Sequence, residues 1–245
     1  MAKFGLIGKD IDYSFSKSHF GEKFKNEGLK HTYENFDIDS IDKFPEIISS
    51  TKRLRGLNVT IPYKEAVIPY LNRLHKTAKK IGAVNTIKIT KKGKLIGYNT
   101  DYFGFKKSIE PHLKSHHKKA LILGTGGASK AIVYALKKLG IDYKYVSRKA
   151  AGNDVFTYVS LTENDIKSYQ IIINCTPLGT YPKTNECPDI PYDAIDKTHL
   201  VFDLIYNPEE SKFLTIAKLK GATICNGSKM LELQAEKAWS IWQKC

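Results

Sequence analysis

The sequence predicts an α/β fold with two domains. Strand-like and helix-like segments alternate along almost all of the 245 residues, which is typical of a mainly parallel sheet whose strands are joined by helices. A chain of this length is long for one compact core and sufficient for two α/β domains. Apolar residues make up 42% of the chain, which is typical of a folded globular protein.

Elements of the first half are predicted from short apolar runs and from the glycines and prolines that end them. The predicted strands are Phe4 to Gly8, Thr32 to Ile38, Gly56 to Ile61, Ala83 to Thr90 and Lys94 to Asn99. The last two strands flank Lys91-Lys92-Gly93, which is typical of a hairpin turn. Helical spacing occurs from about Lys17 to Asn26, where Gly28 ends it, and around Ile41 to Ser50.

The second half repeats the alternation more clearly. A helix with 3.6-residue apolar spacing follows the strand Ala120 to Leu123 and is ended by Gly140. The later strands are Tyr143 to Val146, Ile171 to Asn174, Leu200 to Leu204 and Ala222 to Cys225, and a last helix begins near Ser228. A domain boundary is expected near Asp101, followed by a connecting helix from Tyr102 to Leu113.

The charge and cysteine content exclude several classes of protein. The net charge is +14, but the lysines are dispersed and no arginine-rich arm or basic–aromatic RNA motif occurs, so a nucleic-acid partner is not expected. An anionic substrate or a phosphorylated cofactor would benefit from this charge. The four cysteines lack zinc-site spacing and do not resemble a disulfide framework, so no metal site is expected. Without a secretion signal at the start or an apolar run near the ~20 residues that span a bilayer, we expect a cytoplasmic protein without a membrane partner.

A glycine-rich turn marks a candidate cofactor site. The apolar run Leu121 to Leu123 leads directly into Gly124-Thr125-Gly126-Gly127-Ala128-Ser129 and then into a helix. Gly124 permits a tight turn, Gly126 lets phosphates approach the backbone, and amides at the helix start face the anion. Ser129 replaces the usual third glycine. The alternative is a glycine-rich connector without a ligand, but the flanking strand and helix favour a Rossmann-type, doubly wound parallel sheet.

The end of the next strand indicates which dinucleotide is bound. NAD sites usually carry an acid about 20 residues after the first glycine. Here the sequence reads Ser147-Arg148-Lys149, where two cations could pair with a 2′-phosphate and Ser147 could donate a hydrogen bond. The alternative is that Arg148 and Lys149 are solvated loop charges. We therefore expect NADP as the cofactor.

Polar residues of the first half lie where its strands end. Ser14 and Ser16 precede a helix, and helix capping explains one serine but not the pair. Asn58, Thr60 and Lys64 lie where a strand meets Pro62 and a helix is expected to begin, although a lone lysine there is commonly solvated. Further along the chain come Asn85 and Asp101, the latter also a candidate helix N-cap.

Eight motifs in order resemble the shikimate dehydrogenase family. They are Ser14-Phe15-Ser16, the run from Asn58 to Lys64, the run from Gly82 to Thr86, the run from Gly97 to Asp101, the run from Gly124 to Ser129, the run from Asn174 to Gly179, the run from Asp203 to Pro208, and the run from Gly227 to Leu231 with Gln234. The sequence departs from the family pattern at two places. It has Lys17 where the family commonly has proline, and it has Val146-Ser147-Arg148 where the family usually has Asn-Arg-Thr.

The resemblance implies a fold, an activity and a role for each matching residue. A mixed-sheet substrate domain would comprise residues 1–101, with the helix 228–245 packed on it, and residues 102–227 would form the NADP domain. Ser14, Ser16 and Tyr206 would hold the carboxylate of shikimate or 3-dehydroshikimate, and Asn58, Thr60, Asn85, Asp101 and Gln234 would bind the rest of the substrate. Lys64 and Asp101 would form the catalytic pair. The glycine-rich turn, Ser147 to Lys149, Thr176 and Gly227 would contact NADP.

Several alternatives stay open at this point. A quinate or dual quinate/shikimate dehydrogenase would differ by a small change in the carboxylate pocket, and Ser14, Ser16 and Arg148 argue against it. A regulator that binds NADP or shikimate without catalysis is disfavoured because Lys64 and Asp101 are both present. Nucleic-acid binding would leave the ordered motifs unexplained. The protein is expected to be a monomer or a homodimer.

Overall fold

A computed structural model describes residues 1–11, 14–149 and 155–243. Within these residues the chain forms eight α-helices and twelve β-strands. It divides into two compact units, Met1–Thr100 together with Ala235–Cys245, and Asp101–Gln234. The α/β class that the alternation of strands and helices predicts is confirmed.

The first unit is built on a mixed six-stranded sheet. Its strands are β1 (Lys3–Gly8), β2 (Thr32–Asp37), β3 (Leu54–Val59), β4 (Arg73–Leu74), β5 (Thr86–Ile89) and β6 (Leu95–Tyr98). They lie in the order β2-β1-β3-β5-β6-β4. Strand β1 is parallel to β2 and β3, whereas β5 is antiparallel to β3 and β6. The predicted hairpin around Gly93 is the β5–β6 pair, and Gly93 has the positive φ of 75° that such a turn requires.

Three helices and the end of a fourth complete this unit. They are α1 (Phe15–Asn26), α2 (Phe44–Ser50), α3 (Lys76–Ile81) and the last turns of α8 (Ser228–Gln243). Helix α1 buries Phe20 and Phe24, which share a core cluster with Trp239 and Trp242 of α8. Gly56 makes this packing possible, because a Cβ at that position would overlap the Trp242 ring.

The helix that the sequence predicts after Pro62 is absent. Residues 61–67 form successive turns instead, and a 3₁₀ helix follows at Ile68–Tyr70. The predicted helix around Ile41 to Ser50 is divided into a 3₁₀ turn, Ile41–Lys43, and α2, which has a proline in its first turn. Proline is accepted there because the first amides of a helix have no intrahelical partner.

The second unit is built on a fully parallel six-stranded sheet. Its strands are β7 (Lys119–Leu123), β8 (Asp142–Ser147), β9 (Val155–Thr157), β10 (Ile171–Asn174), β11 (Leu200–Asp203) and β12 (Thr223–Cys225). They lie in the order β12-β11-β10-β7-β8-β9. Numbered along the chain, this is the strand order 3-2-1-4-5-6 of a doubly wound Rossmann-type sheet. The order of the strands reverses between β7 and β10, while all strands stay parallel. The predicted Rossmann-type sheet is confirmed.

Helices cover this sheet. They are α4 (Asp101–Ile109), α5 (Gly127–Leu139), α6 (Glu163–Ser168), α7 (Lys212–Leu219) and the first turns of α8. Helix α5 buries the apolar stripe that its 3.6-residue spacing predicts, including Ile132 and Leu136, and Gly140 caps it with a positive φ of 69°.

Some elements have no counterpart in the sequence prediction. Strand β4 and the helices α3, α6 and α7 are among them. Strand β9, Val155–Thr157, is another such element, and residues 150–154 before it lie outside the described part of the chain. The same holds for residues 244–245 of the predicted C-terminal helix. Among the described residues, no helix combines the length and apolarity needed to cross a bilayer.

Candidate active site

Ser14 and Ser16 lie at the start of α1. Ser14 is the N-cap, and its Oγ accepts a hydrogen bond from the amide of Lys17 at 3.2 Å, so helix capping accounts for this serine. Ser16 is buried and hydrogen-bonds with the Tyr33 side chain. The two serines therefore have different partners within the protein, and the binding of a substrate carboxylate by Ser14 and Ser16 stays a prediction.

Asn58 and Asn85 belong to one buried hydrogen-bond network. The Tyr33 hydroxyl donates to Asn58 Oδ1 at 2.7 Å, and Asn58 Nδ2 donates to the Asn85 carbonyl at 3.3 Å. Asn85 Oδ1 accepts from the Thr100 amide at 2.7 Å. Burial raises the pKa of Tyr33, so its hydroxyl keeps the proton that it donates. Tyr33 and Thr100 were not predicted as site residues, because only the folded sheet brings them to the two asparagines.

Thr60 and Lys64 lie in the turns that follow β3. The Thr60 amide donates to the Ile7 carbonyl at 2.9 Å, and the Tyr63 amide donates back to Thr60 O at 2.9 Å. The Lys64 carbonyl accepts from the Val84 amide at 2.7 Å. The backbone of the turn is thus attached to β1 on one side and to the segment before β5 on the other, and both predicted residues are half-buried.

The glycine-rich turn joins β7 to α5 where the sheet reverses its order. Gly124 has a φ of +100°, and a Cβ there would lie 3.0 Å from Thr176 Cγ2, so both conformation and space favour glycine. Gly126 is the N-cap of α5 without a side-chain cap, and a Cβ there would meet nothing within 4 Å. Backbone amides at a helix start with open space before them fit the diphosphate of a dinucleotide.

The remaining residues of the turn support the same geometry. Thr125 is exposed, and Gly127 and Ala128 form the first turn of α5. Ser129, which replaces the usual third glycine, is buried and its Oγ donates to the Gly126 carbonyl at 2.7 Å. The departure from the glycine motif therefore stabilises the start of the helix.

Strand β8 ends at Ser147, and Arg148 and Lys149 follow it with exposed side chains. No acid occupies the positions at which NAD enzymes commonly hold the ribose hydroxyls. Two exposed cations beside a hydroxyl fit a 2′-phosphate.

Thr176 lies beyond β10, across the sheet reversal from Gly124. Its Oγ1 donates to Asn174 Oδ1 at 2.7 Å, and Asn174 Nδ2 donates to Asp203 Oδ1 at 3.0 Å. Asp203 Oδ2 accepts from Ser211 Oγ at 2.5 Å. Asn174 and Asp203 were not predicted as site residues. The signal was available, because each is the polar residue that ends an apolar parallel strand.

Asp101, Tyr206 and Gln234 belong to the second unit. Asp101 is the first residue of α4 and is buried. Gln234 lies on α8 close to α4. This close approach requires glycine at position 104, because a Cβ added there would lie 3.1 Å from Gln234 Cβ. Tyr206 follows β11 and is 39% exposed, and burial of its remaining surface raises its pKa. Their joint action on a substrate stays a prediction.

Gly227 lies in the turn between β12 and α8. Its amide donates to the Ile205 carbonyl at 3.0 Å, and a Cβ would overlap the Leu204 carbonyl. Glycine is therefore required for packing here, and its predicted contact with NADP is not needed to explain it.

Several known proteins are similar to this chain over nearly its whole length. A sequence profile described as the shikimate dehydrogenase substrate binding domain matches residues 6–87. The shikimate dehydrogenase (NADP(+)) of Clostridium beijerinckii is 40% identical over 100% of this chain and 93% of its own length. The crystal structure of shikimate dehydrogenase from Aquifex aeolicus has a TM-score of 0.88 at 36% identity and covers 100% of this chain and 93% of that one.

A third similar structure contains ligands. Shikimate 5-dehydrogenase from Thermus thermophilus, in complex with NADP(H) and shikimate, has a TM-score of 0.88 at 27% identity, with 99% of this chain and 94% of that one covered. Identity of 40% over the full length, together with a matching fold in both units, is far beyond what a shared fold class alone would produce. The chain therefore belongs to the shikimate dehydrogenase family.

Proposed function

We propose that this protein is an NADP-dependent shikimate dehydrogenase that reversibly reduces 3-dehydroshikimate to shikimate, in the pathway leading to aromatic amino acids. The observation that carries the proposal is similarity along the whole chain to relatives named shikimate dehydrogenase (NADP(+)). Independently of that name, the glycine-rich turn at the sheet reversal supports a dinucleotide, and Arg148 and Lys149 after β8 support NADP. We place the enzyme in the cytoplasm as a monomer or homodimer.

The two units have different parts in this proposal. The first unit, on which the end of α8 packs, binds the substrate, and the second unit binds NADP and contributes Asp101, Tyr206 and Gln234. Ser14, Ser16 and Tyr206 hold the substrate carboxylate. Thr60, Asn85, Asp101 and Gln234 bind the ring hydroxyls, and Asn58 belongs to the same substrate site. The rigid network through Tyr33 supports this assignment, since a polar site discriminates best when its groups are fixed before the ligand arrives.

Lys64 and Asp101 act at the oxygen of the reacting carbon. The bound cofactor supplies or accepts the hydride. When hydride arrives at the carbonyl carbon, negative charge develops on oxygen, and the Lys64 ammonium stabilises it and supplies the proton. Asp101 orients the ammonium and accepts a hydrogen bond from a neighbouring hydroxyl. In the oxidation direction the same groups hold the proton that the alcohol loses.

An assay that crosses two substrates with two cofactors tests the proposal. Formation of reduced cofactor is followed with shikimate or quinate and with NADP⁺ or NAD⁺. We expect kcat/KM for shikimate with NADP⁺ to exceed each other combination by at least about tenfold, which one lost charged hydrogen bond accounts for. A preference for quinate would assign the related enzyme. Binding of NADPH and shikimate without turnover would indicate a regulator.

Replacement of Lys64 tests the catalytic assignment. We expect Lys64→Ala to lower kcat by about 10²- to 10⁴-fold, the usual contribution of general acid–base catalysis, with a smaller change in KM for shikimate. The control is Lys80→Ala, which removes the same charge from an exposed position on α3 and should keep kcat within about twofold. A Lys64→Ala enzyme with most of its kcat would remove this lysine from the chemistry.

A further inference from the structure

The first unit contains a cavity of about 760 Å³ that is lined by none of the predicted site residues. Residues of β4, β5, β6 and α8 form its walls, together with the turn that joins β5 to β6. Its volume is within the range of about 300–1,000 Å³ that small-molecule sites have in proteins.

The aromatic part of the cavity lining, which we call the floor, is closely packed. Phe4, Tyr98, Trp239 and Trp242 contribute to it. The Trp242 ring stacks on Phe4 with centroids 4.9 Å apart, and its Nε1 donates to the Ile87 carbonyl at 3.0 Å. Phe4, Trp239 and Trp242 are more than nine-tenths buried, so only a small part of each ring is exposed. With the half-buried Tyr98 they supply apolar lining against which a planar ring can pack.

The rim is strongly basic. Among the described residues, no acidic side chain lines the cavity and six cationic ones do: Arg55, Arg73, Lys88, Lys91, Lys92 and Lys94. Within the described part of the chain, the two arginines and the three lysines of the β5–β6 turn form no salt bridge with a carboxylate. Two of the four arginines in the sequence are here, and arginine is the side chain best suited to bind carboxylates and phosphates by two parallel hydrogen bonds.

His75, which contacts the cavity residue Tyr98, lies near several positive charges. The His75 ring stacks on Tyr98 with centroids 5.1 Å apart. Its pKa is lowered by burial and then by the positive charges of Lys76, Arg73 and Lys237. Of these three charges only Arg73 lines the cavity, and together with the lysines of the rim it would favour an anion there.

We propose that this cavity binds a small aromatic polyanion, that is, a planar ring that carries two or more carboxylate or phosphate groups. The ring lies on the floor and the acid groups reach the rim. A second copy of the chain fits less well, because a two-fold interface would bring both basic rims together. Single-stranded nucleic acid is also disfavoured, since it binds along an extended groove rather than in one cavity.

The protein has a built-in probe for this site, because its only two tryptophans, Trp239 and Trp242, both line the cavity. Benzene-1,3,5-tricarboxylate is titrated into the full-length protein without cofactor while tryptophan emission is recorded. We expect a saturable change in emission. Cyclohexane-1,3,5-tricarboxylate has the same acid groups without the aromatic ring, and we expect it to bind at least about fivefold more weakly, as loss of an aromatic contact implies.

Two variants and one control complete the test. Arg55→Ala and Arg73→Ala should each weaken binding of the tricarboxylate by about tenfold or more, the usual effect of a lost charged hydrogen bond. Lys79→Ala removes an exposed charge of the same unit that does not line the cavity, and it should change the affinity by less than twofold. All three variants should unfold at the same temperature as the parent and should keep the parent kcat with shikimate, which separates this proposal from the catalytic one.

Three outcomes would overturn the proposal. Emission that changes linearly without saturation would indicate no site. Equal weakening in Lys79→Ala would assign the effect to net charge alone. Tighter binding of a thymidine oligonucleotide than of the tricarboxylate, lost in the same arginine variants, would assign the surface to nucleic acid.

Discussion

The carboxyl group of Asp203 is completely buried, and burial raises its pKa to about 6, although Ser211, Ile205 and Asn174 donate hydrogen bonds that oppose the rise. The ordinary value for aspartate is 3.8. Between these two values the folded protein binds more protons at this site than the unfolded chain does. The free energy of unfolding should therefore fall as the pH rises from about 4 to about 6 and level off above that.

Asparagine at this position should remove that dependence. The amide of Asp203→Asn keeps an acceptor for Ile205 and Asn174 and can donate to the Ser211 hydroxyl, so the fold should persist. Urea unfolding at a series of pH values from about 4 to about 7 should show a flatter profile than the parent. The control, Asp196→Asn, removes a group whose pKa is lowered to about 2, so it should lose stability at neutral pH and leave the slope between pH 4 and 6 unchanged. An unaltered slope in Asp203→Asn would contradict the assignment.

The Tyr33 hydroxyl positions a predicted substrate residue without being one itself. In Tyr33→Phe the buried Asn58 Oδ1 loses its 2.7 Å donor, which should cost about 1–3 kcal/mol of stability. We expect KM for shikimate to rise about three- to tenfold, with little change in kcat. Tyr70→Phe is the control, because that hydroxyl donates to Asp42 at an exposed position. Equal effects of the two changes would argue against a positioning role.

At the scale of elements, the turn between β7 and α5 allows stability to be separated from cofactor binding. Gly124→Ala places a Cβ at a φ of +100° and 3.0 Å from Thr176 Cγ2, so it should cost about 1–2 kcal/mol of stability and also raise KM for NADP⁺. Gly126→Ala has an ordinary φ of −71° and open space. It should therefore lower stability by less than Gly124→Ala does, since only the preference for glycine over alanine at an N-cap is lost, and still raise KM for NADP⁺ by about tenfold or more. A Gly126→Ala enzyme with normal KM would place the diphosphate elsewhere.

The elements that the sequence predicts are those whose burial produces a strong pattern. Strand β10 matches its predicted bounds, because a parallel strand covered on both faces is an unbroken apolar run. Helix α5 is long enough for 3.6-residue spacing to repeat. Helix α3 has six residues and β4 has two, so neither shows enough of a period to be recognised.

The residues of the candidate site could also be predicted only in part, for a different reason. The glycine-rich turn is contiguous in sequence, and so its shape could be predicted from residue order. The partners of Asn58 and Asn85 could not, because Tyr33 lies 25 residues before Asn58 and Thr100 lies 15 residues after Asn85. Hydrogen bonds of this kind are set by strand order and register, which the chain acquires only on folding.

The whole molecule consists of two units with separate cores. Clusters around Leu57 and Phe20 fill the first unit, and clusters around Leu121 and Ile122 fill the second. Helix α8 takes part in both, since Met230 packs in a cluster of the second unit and Trp242 in one of the first. A single continuous helix is therefore part of the folding free energy of each unit.

The net charge of +14 is likewise a property of the whole chain. A positive field speeds the approach of anions in proportion to their charge, and salt screens it over about 10 Å at 0.1 M. NADP⁺ carries more negative charge than shikimate, so its association should respond more steeply to salt. Raising KCl from about 20 mM to about 300 mM should lower kcat/KM for NADP⁺ by about tenfold and that for shikimate by about threefold or less. Sucrose at matched osmolality is the control and should change neither value. Equal salt dependence for the two ligands would show that local contacts, and not the net charge, govern their capture.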